Sequence, residues 1–139
     1  MSAHLRGALA TVGGLALIGA MVFFNLSHWA FQGEWRIARI EGVSSAASGT
    51  VRFDDDSGTS KTRSSKDVRV ETRCSAYEAG YTRDLGRVRF DELQPRWELC
   101  PEDEALRSVM QASTRYRYEG RSLVLATPDG RRLVLVRPQ

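Results

Sequence analysis

Two cysteines are the residues of this chain whose type most readily carries chemistry. Cys74 and Cys100 are the only cysteines, and they lie 26 positions apart. A redox pair usually has the spacing Cys-x-x-Cys, and a thiolate metal site needs further cysteine or histidine ligands, which the region after residue 32 lacks. An even number of cysteines in an exported chain favours a disulfide. The sequence therefore predicts a structural bond between Cys74 and Cys100.

Histidine, the usual base of nucleophilic catalysis, is nearly absent. The two histidines, His4 and His28, both lie before residue 33. A Ser-His-acid or Cys-His arrangement therefore has no base in the rest of the chain. The sequence also contains no Gly-Lys phosphate loop and no dinucleotide-binding fingerprint. These features predict that the protein is not an enzyme and holds no cofactor.

The carboxylates offer no better site. The pairs Asp91/Glu92 and Glu102/Glu104 could in principle act as acid and base, but they occupy positions predicted to be exposed. The run DDDSG at 54–58 lacks the Gly and the Glu that an EF-hand loop needs at its sixth and twelfth positions. A solvated acidic turn is the better interpretation, and no metal site is predicted.

The N-terminus is a candidate membrane segment. Gly7–Phe24 contains 18 residues without a charge, and such a helix would span roughly 27 Å, close to the hydrocarbon thickness of a bilayer. Arg6 supplies a positive flank on the cytoplasmic side. We expect an uncleaved anchor over residues 7–26 of a bacterial inner membrane, with a cleaved signal peptide as the alternative. The predicted division is an anchor or signal segment, 1–32, followed by a periplasmic domain, 33–139.

Beyond residue 33 the apolar residues follow the period of two that is typical of strands. The pattern predicts one helix, Cys100–Ser113, with Pro101 in its first turn and one apolar stripe that packs on its own sheet. It predicts eight strands, near Glu34–Glu41, Thr50–Asp54, Asp67–Arg73, Ala76–Arg83, Arg87–Leu93, Arg115–Glu119, Ser122–Thr127 and Arg131–Arg137.

Four of these strands share the pattern apolar-Arg-apolar-acid. It occurs as VRFD at 51–54 and 88–91, VRVE at 68–71 and YRYE at 116–119. Because alternate side chains of a strand point to opposite faces, each copy predicts one apolar face and one charged face. We expect Arg to lie opposite an acid across neighbouring strands, on a solvated outer surface. The spacing of the copies has no common period, so they are not a sequence repeat.

From Trp35 onwards the chain resembles the META domain, the fold of HslJ-like envelope proteins associated with heat shock. The resemblance covers about residues 33–137 and rests on five segments: GEWRIARIEG, TVRF, RCSAYEAGYT, WELCPEDEAL and the ending TRYRYEGRSLVLATPDGRRLVLV. The chain departs from the family pattern around its first cysteine, with Arg73 for Gly, Ser75 for Asn and Ala79 for Gly. The resemblance implies a mainly β fold: a small antiparallel β-barrel or a strongly curved sheet with one packed helix. It implies no catalytic residues, and it links the chain to the envelope and to stress tolerance.

Two functions remain open. One is a membrane-tethered envelope protein that contacts other proteins. The other is a small apolar-ligand binding module that uses the barrel interior, where we expect five inward aromatic residues: Trp35, Phe53, Phe90, Tyr116 and Tyr118. A nucleic-acid partner is not expected, because the net charge is only +3 and the 20 basic and 17 acidic residues are spread through the chain.

Overall fold

The computed structural model describes residues 31–44, 47–54 and 66–139. Gly33–Gln139 forms one compact unit. The predicted anchor, 7–26, and the rest of the N-terminal segment up to residue 30 lie outside the described residues, as does most of the loop between Asp54 and Lys66. Within the described ranges, no helix has the length and apolar character needed to cross a membrane.

Nine strands and one α-helix make up the described fold. The strands are β1 (Gly33–Glu41), β2 (Gly49–Asp54), β3 (Asp67–Thr72), β4 (Ala76–Asp84), β5 (Arg87–Phe90), β6 (Gln94–Pro95), β7 (Arg115–Glu119), β8 (Ser122–Ala126) and β9 (Arg132–Val136). A 3-10 turn, Pro101–Asp103, leads into helix α1, Glu104–Ala112. All eight predicted strands are present, and the mainly β fold with one packed helix is confirmed. The short strand β6 was not predicted, and β5 ends at Phe90, three residues before the predicted Leu93.

The strand pairings form a ring. In spatial order the strands are β3-β2-β1-β9-β8-β7-β5-β4-β6, and β3 also pairs with β4. All of these pairings are antiparallel. The ring is weakest between β5 and β7, because Arg87 and Arg115 are the one pair of residues that lie opposite each other in these two strands. Strand β6 lies outside the ring and pairs with β4 alone among the described strands.

The core lies on the inner side of the ring. Strands β2 and β3 alternate as predicted: Val51, Phe53, Val68 and Val70 are buried, while their Arg and acidic neighbours are exposed. Strand β8 does not alternate, because Leu123, Val124 and Leu125 are all fully buried. A strand buried on both faces is a continuous apolar run, which is what the sequence shows here.

The helix covers part of this core. Pro101 starts the 3-10 turn, where its missing N–H costs no hydrogen bond, and acidic residues follow in the first turn. Leu106, Val109 and Met110 are buried on the predicted stripe. Helix α1 contacts β5 and β9. The prediction that this stripe packs on the protein's own sheet is confirmed.

The expected pairing of Arg with acid holds only in part. Arg69 of β3 lies opposite Glu78 of β4, and their side chains are 3.3 Å apart. On its other side, however, Arg69 lies opposite Arg52, and Arg87 lies opposite Arg115. The registers of these strands, which a single sequence does not reveal, place like charges together.

Strand β7 also differs from the expectation of an inward aromatic face. Tyr116 is half-buried and Tyr118 is 37% exposed. Both share the face of Leu123 and Leu125, their partners on β8. The last backbone bond from β7 toward β5 runs from the Tyr116 N–H to the Gly86 carbonyl, and Arg115 is the residue of β7 that pairs with β5. The two tyrosine rings are therefore less covered than the core side chains of the other strands.

Candidate functional site

A disulfide joins the start of the helical region to the turn between β3 and β4. Cys74 is bonded to Cys100, with their Cα atoms 6.1 Å apart. Cys74 is exposed and Cys100 is half-buried. The bond predicted from the even cysteine count is confirmed.

The turn that carries Cys74 is organised by Thr72. The Thr72 N–H donates to the Ser75 carbonyl at 2.9 Å, and the Ser75 N–H donates to Thr72 Oγ1 at 3.1 Å. Ser75 is buried, and its hydroxyl donates to the Glu98 carbonyl at 2.8 Å. Ser75, which stands where the resemblance expects Asn, therefore ties this turn to the segment before Cys100.

Asp103 lies at the centre of a buried polar cluster beside the disulfide. It is only 7% exposed. Its Oδ2 accepts a hydrogen bond from Thr72 Oγ1 at 2.7 Å and another from Tyr77 Oη at 2.8 Å. Cys74 Sγ lies 3.4 Å from the same oxygen, but a disulfide sulfur has no hydrogen to donate. One carboxylate oxygen thus links β3, β4 and the 3-10 turn.

Tyr77 is the largest fully buried side chain of the cluster. Burial raises its pKa above the ordinary value, and the hydrogen bond to Asp103 raises the pKa further. The guanidinium of Arg107 lies 5.4 Å from the centre of its ring. A phenol with a raised pKa is a poor base or nucleophile at neutral pH. The hydrogen bonds of this cluster therefore serve to hold the surrounding elements together.

The same corner brings together three potential metal ligands. Cys74 Sγ, Cys100 Sγ and a Glu102 carboxylate oxygen lie within 4.8 Å of one another. Soft metals bind cysteine as the thiolate. In the disulfide form neither sulfur is a thiolate, so this group is not a thiolate metal site.

The predicted carboxylate pairs are not brought into a site. Asp91, Glu92, Glu102 and Glu104 are all exposed, as expected. Sequence reasoning missed Asp103. The available signal was the position of Tyr77, three residues after Cys74, together with an acid three residues after Cys100.

Aromatic rings fill one part of the interior. Phe53, Tyr81 and Phe90 pack against each other, with ring centroids 5.4 Å, 5.9 Å and 6.3 Å apart. Each is at most 6% exposed. These rings occupy the space that an apolar ligand would need beside Phe53 and Phe90.

The comparisons agree with this fold. The model of the META domain family matches residues 27–139, a range that contains the whole ring-like sheet, the helix and the disulfide. No curated protein and no solved structure matches the chain significantly. Because the match covers well over half of its length, the chain belongs to the META domain family.

Proposed function

We propose that this META-domain protein is a non-enzymatic component of the bacterial cell envelope that acts by contacting another protein. The proposal includes an anchor over residues 7–26 in the inner membrane and a domain, 33–139, in the periplasm. It also includes a role in envelope stress tolerance, in line with what the family resemblance implies.

The chemistry of the buried cluster supports a non-enzymatic role. The chain after residue 32 has no histidine, and the raised pKa of Tyr77 leaves its hydroxyl protonated at neutral pH. Asp103 accepts hydrogen bonds from two neighbouring side chains and is buried. Such a carboxylate stabilises the fold, and it is not presented to a substrate.

A protein-binding role rests on one observation, the exposed segment Arg96–Leu99, here named the Trp97 loop. Trp97 is 72% exposed and Leu99 is 57% exposed. Trp and Arg are enriched among the residues that dominate binding energy in protein interfaces. Large apolar side chains on the surface therefore indicate a contact site here.

The Trp97 loop is held in place from both ends. The Arg96 N–H donates to the Ala76 carbonyl at 2.8 Å, and the Glu98 carbonyl accepts from Ser75 Oγ at 2.8 Å. Cys100, the next residue after Leu99, is fixed by the disulfide. A loop that is ordered before binding loses less conformational entropy in a complex. The disulfide would thus serve recognition as well as stability.

The experiment is site-specific photocrosslinking in intact cells. A photoreactive amino acid replaces Trp97 in the full chain, and the matched control carries it at the exposed Arg121. We expect a protein adduct from position 97 that is absent from position 121 and is reduced by Cys74→Ser/Cys100→Ser. The purified binding partner should then bind the Trp97→Ala variant at least about tenfold more weakly than the parent chain, which is a typical effect for an interface hot spot. Equal adducts at both positions would show that the Trp97 loop is not a specific contact.

Location is tested separately. Intact cells, spheroplasts and lysed cells are treated with protease, and a tag at the C-terminus is followed. A membrane-bound tag that is cleaved only after the outer membrane is opened supports the proposed topology. Protection of the tag in spheroplasts would refute it without bearing on the Trp97 loop.

A further inference from the structure

A groove on the outer side of the sheet combines arginine side chains with an apolar floor. Its volume is about 590 Å³, which lies within the range of small-molecule sites, roughly 300–1,000 Å³. It lies between the tips of the β4–β5 and β8–β9 hairpins, over β7 and β8. Ala126 of β8 is half-buried and offers apolar surface at its floor, whereas Val124 beside it is fully buried. Among the residues that the structure describes, no acid lines this groove, whereas four arginines do: Arg87, Arg115, Arg117 and Arg132. Arg117 and Arg132 pair with Glu119.

Two of these arginines face each other without a carboxylate partner. Arg87 of β5 lies directly opposite Arg115 of β7, and both side chains are exposed. Like charges in directly opposed positions destabilise an antiparallel pair. Within the part of the chain that the structure describes, neither guanidinium forms an ion pair. Asp84, the other cross-strand neighbour of Arg87, forms none with it either. A bound anion would relieve this repulsion.

Arg132, at the edge of the groove, is already paired. Its two terminal nitrogens bind Glu41 at 3.2 Å and Glu119 at 2.7 Å. Its Nε is buried, so a ligand in the groove does not reach it. Arg117 also pairs with Glu119. The cationic groups that the groove offers to a ligand are therefore Arg87 and Arg115.

The rim of the groove carries an unusual apolar residue. Leu85 is 85% exposed and has a backbone φ of +40°. Among non-glycine residues, positive φ is uncommon and costs backbone energy for a bulky side chain. The positive φ follows from the two-residue turn Leu85–Gly86 between β4 and β5, because such hairpin turns need positive φ at both central residues. The side chain of Leu85 is outside the core, and at the rim it can cover an apolar part of a bound molecule.

We infer that the groove binds a small amphipathic oxyanion, a phosphate or carboxylate group joined to a short apolar body. The guanidinium groups of Arg87 and Arg115 bind the oxyanion, since arginine matches the geometry of phosphate and carboxylate oxygens. The apolar body lies on Ala126 beneath Leu85. This ligand class differs from the apolar ligand considered for the interior of the ring, and the site is independent of the Trp97 loop.

The test is calorimetric titration of the full chain in a non-ionic detergent, with empty micelles as the blank. The probes are hexyl phosphate, hexanoate, inorganic phosphate and hexanol. We expect hexyl phosphate or hexanoate to bind at least about tenfold more tightly than inorganic phosphate and hexanol, because only the amphipathic anions use both parts of the groove. The tighter of the two identifies the head group. Absence of binding by both, or equal binding of hexanol, overturns the inference.

Matched variants locate the site. Arg87→Gln/Arg115→Gln should weaken binding of the amphipathic anion by at least about tenfold. Arg36→Gln/Arg52→Gln removes the same charge from exposed positions on β1 and β2 and should leave binding unchanged. Leu85→Ser should weaken hexyl phosphate but not inorganic phosphate. Circular dichroism confirms that each variant is folded, as expected for exposed positions. Equal weakening by both arginine pairs would show general charge attraction and would overturn the assignment.

Discussion

Replacing Asp103 by Ala is the most direct test of the buried polar cluster. The change removes the acceptor for Thr72 Oγ1 and Tyr77 Oη. Thr72 can turn its single hydroxyl hydrogen to the Ser75 carbonyl, 3.2 Å away. Tyr77 is fully buried, and its oxygen accepts from the Cys100 N–H at 3.4 Å. The Ser75 hydroxyl also lies beside it, but Ser75 already donates to the Glu98 carbonyl. The main cost is therefore a buried hydroxyl left without an acceptor.

The magnitude follows from these contacts. A hydrogen bond to a charged group contributes about 1.5–3 kcal/mol, and an unsatisfied buried donor costs about 1–3 kcal/mol. Because Thr72 can find another acceptor, we expect Asp103→Ala to lower the free energy of unfolding by about 3 kcal/mol. Asp103→Asn retains an oxygen acceptor and should cost about 1 kcal/mol.

A double-mutant cycle separates this cluster from general packing. Tyr77→Phe removes the hydroxyl that Asp103→Ala would leave unpaired. In the double variant we expect the losses to be less than additive, with a coupling of about 1–2 kcal/mol. The free energies come from urea titrations of the full chain followed by tryptophan fluorescence, with equal slopes for all variants. Glu102→Ala, an exposed neighbour, is the control and should have little effect.

Two results would refute this reasoning. A loss below about 1 kcal/mol for Asp103→Ala is what an ordinary surface substitution gives, and it would mean that the cluster does not stabilise the fold. Strict additivity with Tyr77→Phe would mean that the two side chains are not coupled, despite the 2.8 Å contact between them.

Three further predictions concern the same domain. Cys74→Ser/Cys100→Ser should lower the free energy of unfolding by roughly 3–4 kcal/mol on the chain-entropy model, measured by urea titration, and an unchanged value would contradict the structural role of the bond. Because the folded-state pKa of Tyr77 is raised, the contribution of its protonated hydroxyl is complete below about pH 10 and is lost as pH rises further, since the unfolded chain deprotonates first. If the free energy of unfolding falls no more steeply above about pH 10 for the parent chain than for Tyr77→Phe, the protonated Tyr77 hydroxyl makes no such contribution. Gly49→Ala should lower the free energy of unfolding by about 3 kcal/mol, against about 1 kcal/mol for Gly120→Ala. A Cβ at Gly49 would overlap the Glu71 carbonyl oxygen, whereas no described atom lies within 4 Å of a Cβ at Gly120. Equal melting temperatures of these two variants would show that the backbone contact at Gly49 relaxes without cost.

Much of the fold could be predicted because strand periodicity is a local property. Every predicted strand is present. Most of them alternate polar and apolar residues, and β8 and β9 are short apolar runs bounded by turn residues, which is also a strand signal. Strand β6 has only two residues, Gln94 and Pro95, and so carries no period. Its existence depends on the pairing with Tyr77 and Glu78 of β4, which is a tertiary contact.

The candidate sites depend on contacts that a sequence does not specify. The disulfide could be predicted because two cysteines allow one pairing. The burial of Asp103 could not, because Pro101–Glu104 has the pattern of an exposed helix start, and the geometry of the 3-10 turn selects which acid points inward. Likewise, the repulsive pair Arg87 and Arg115 depends on the register between β5 and β7, and register was the missing information.

The ring-like sheet also bears on how the protein avoids aggregation. Exposed strand edges with free N–H and C=O groups are templates on which another chain can add a strand. Among the described strands, β6 is the one that has a single neighbour. It is only two residues long and ends in Pro95, which has no N–H to donate. Among the described strands, an incoming chain therefore finds open ladder only at this short strand and at the weak seam between β5 and β7, where Arg87 and Arg115 are the one opposed pair.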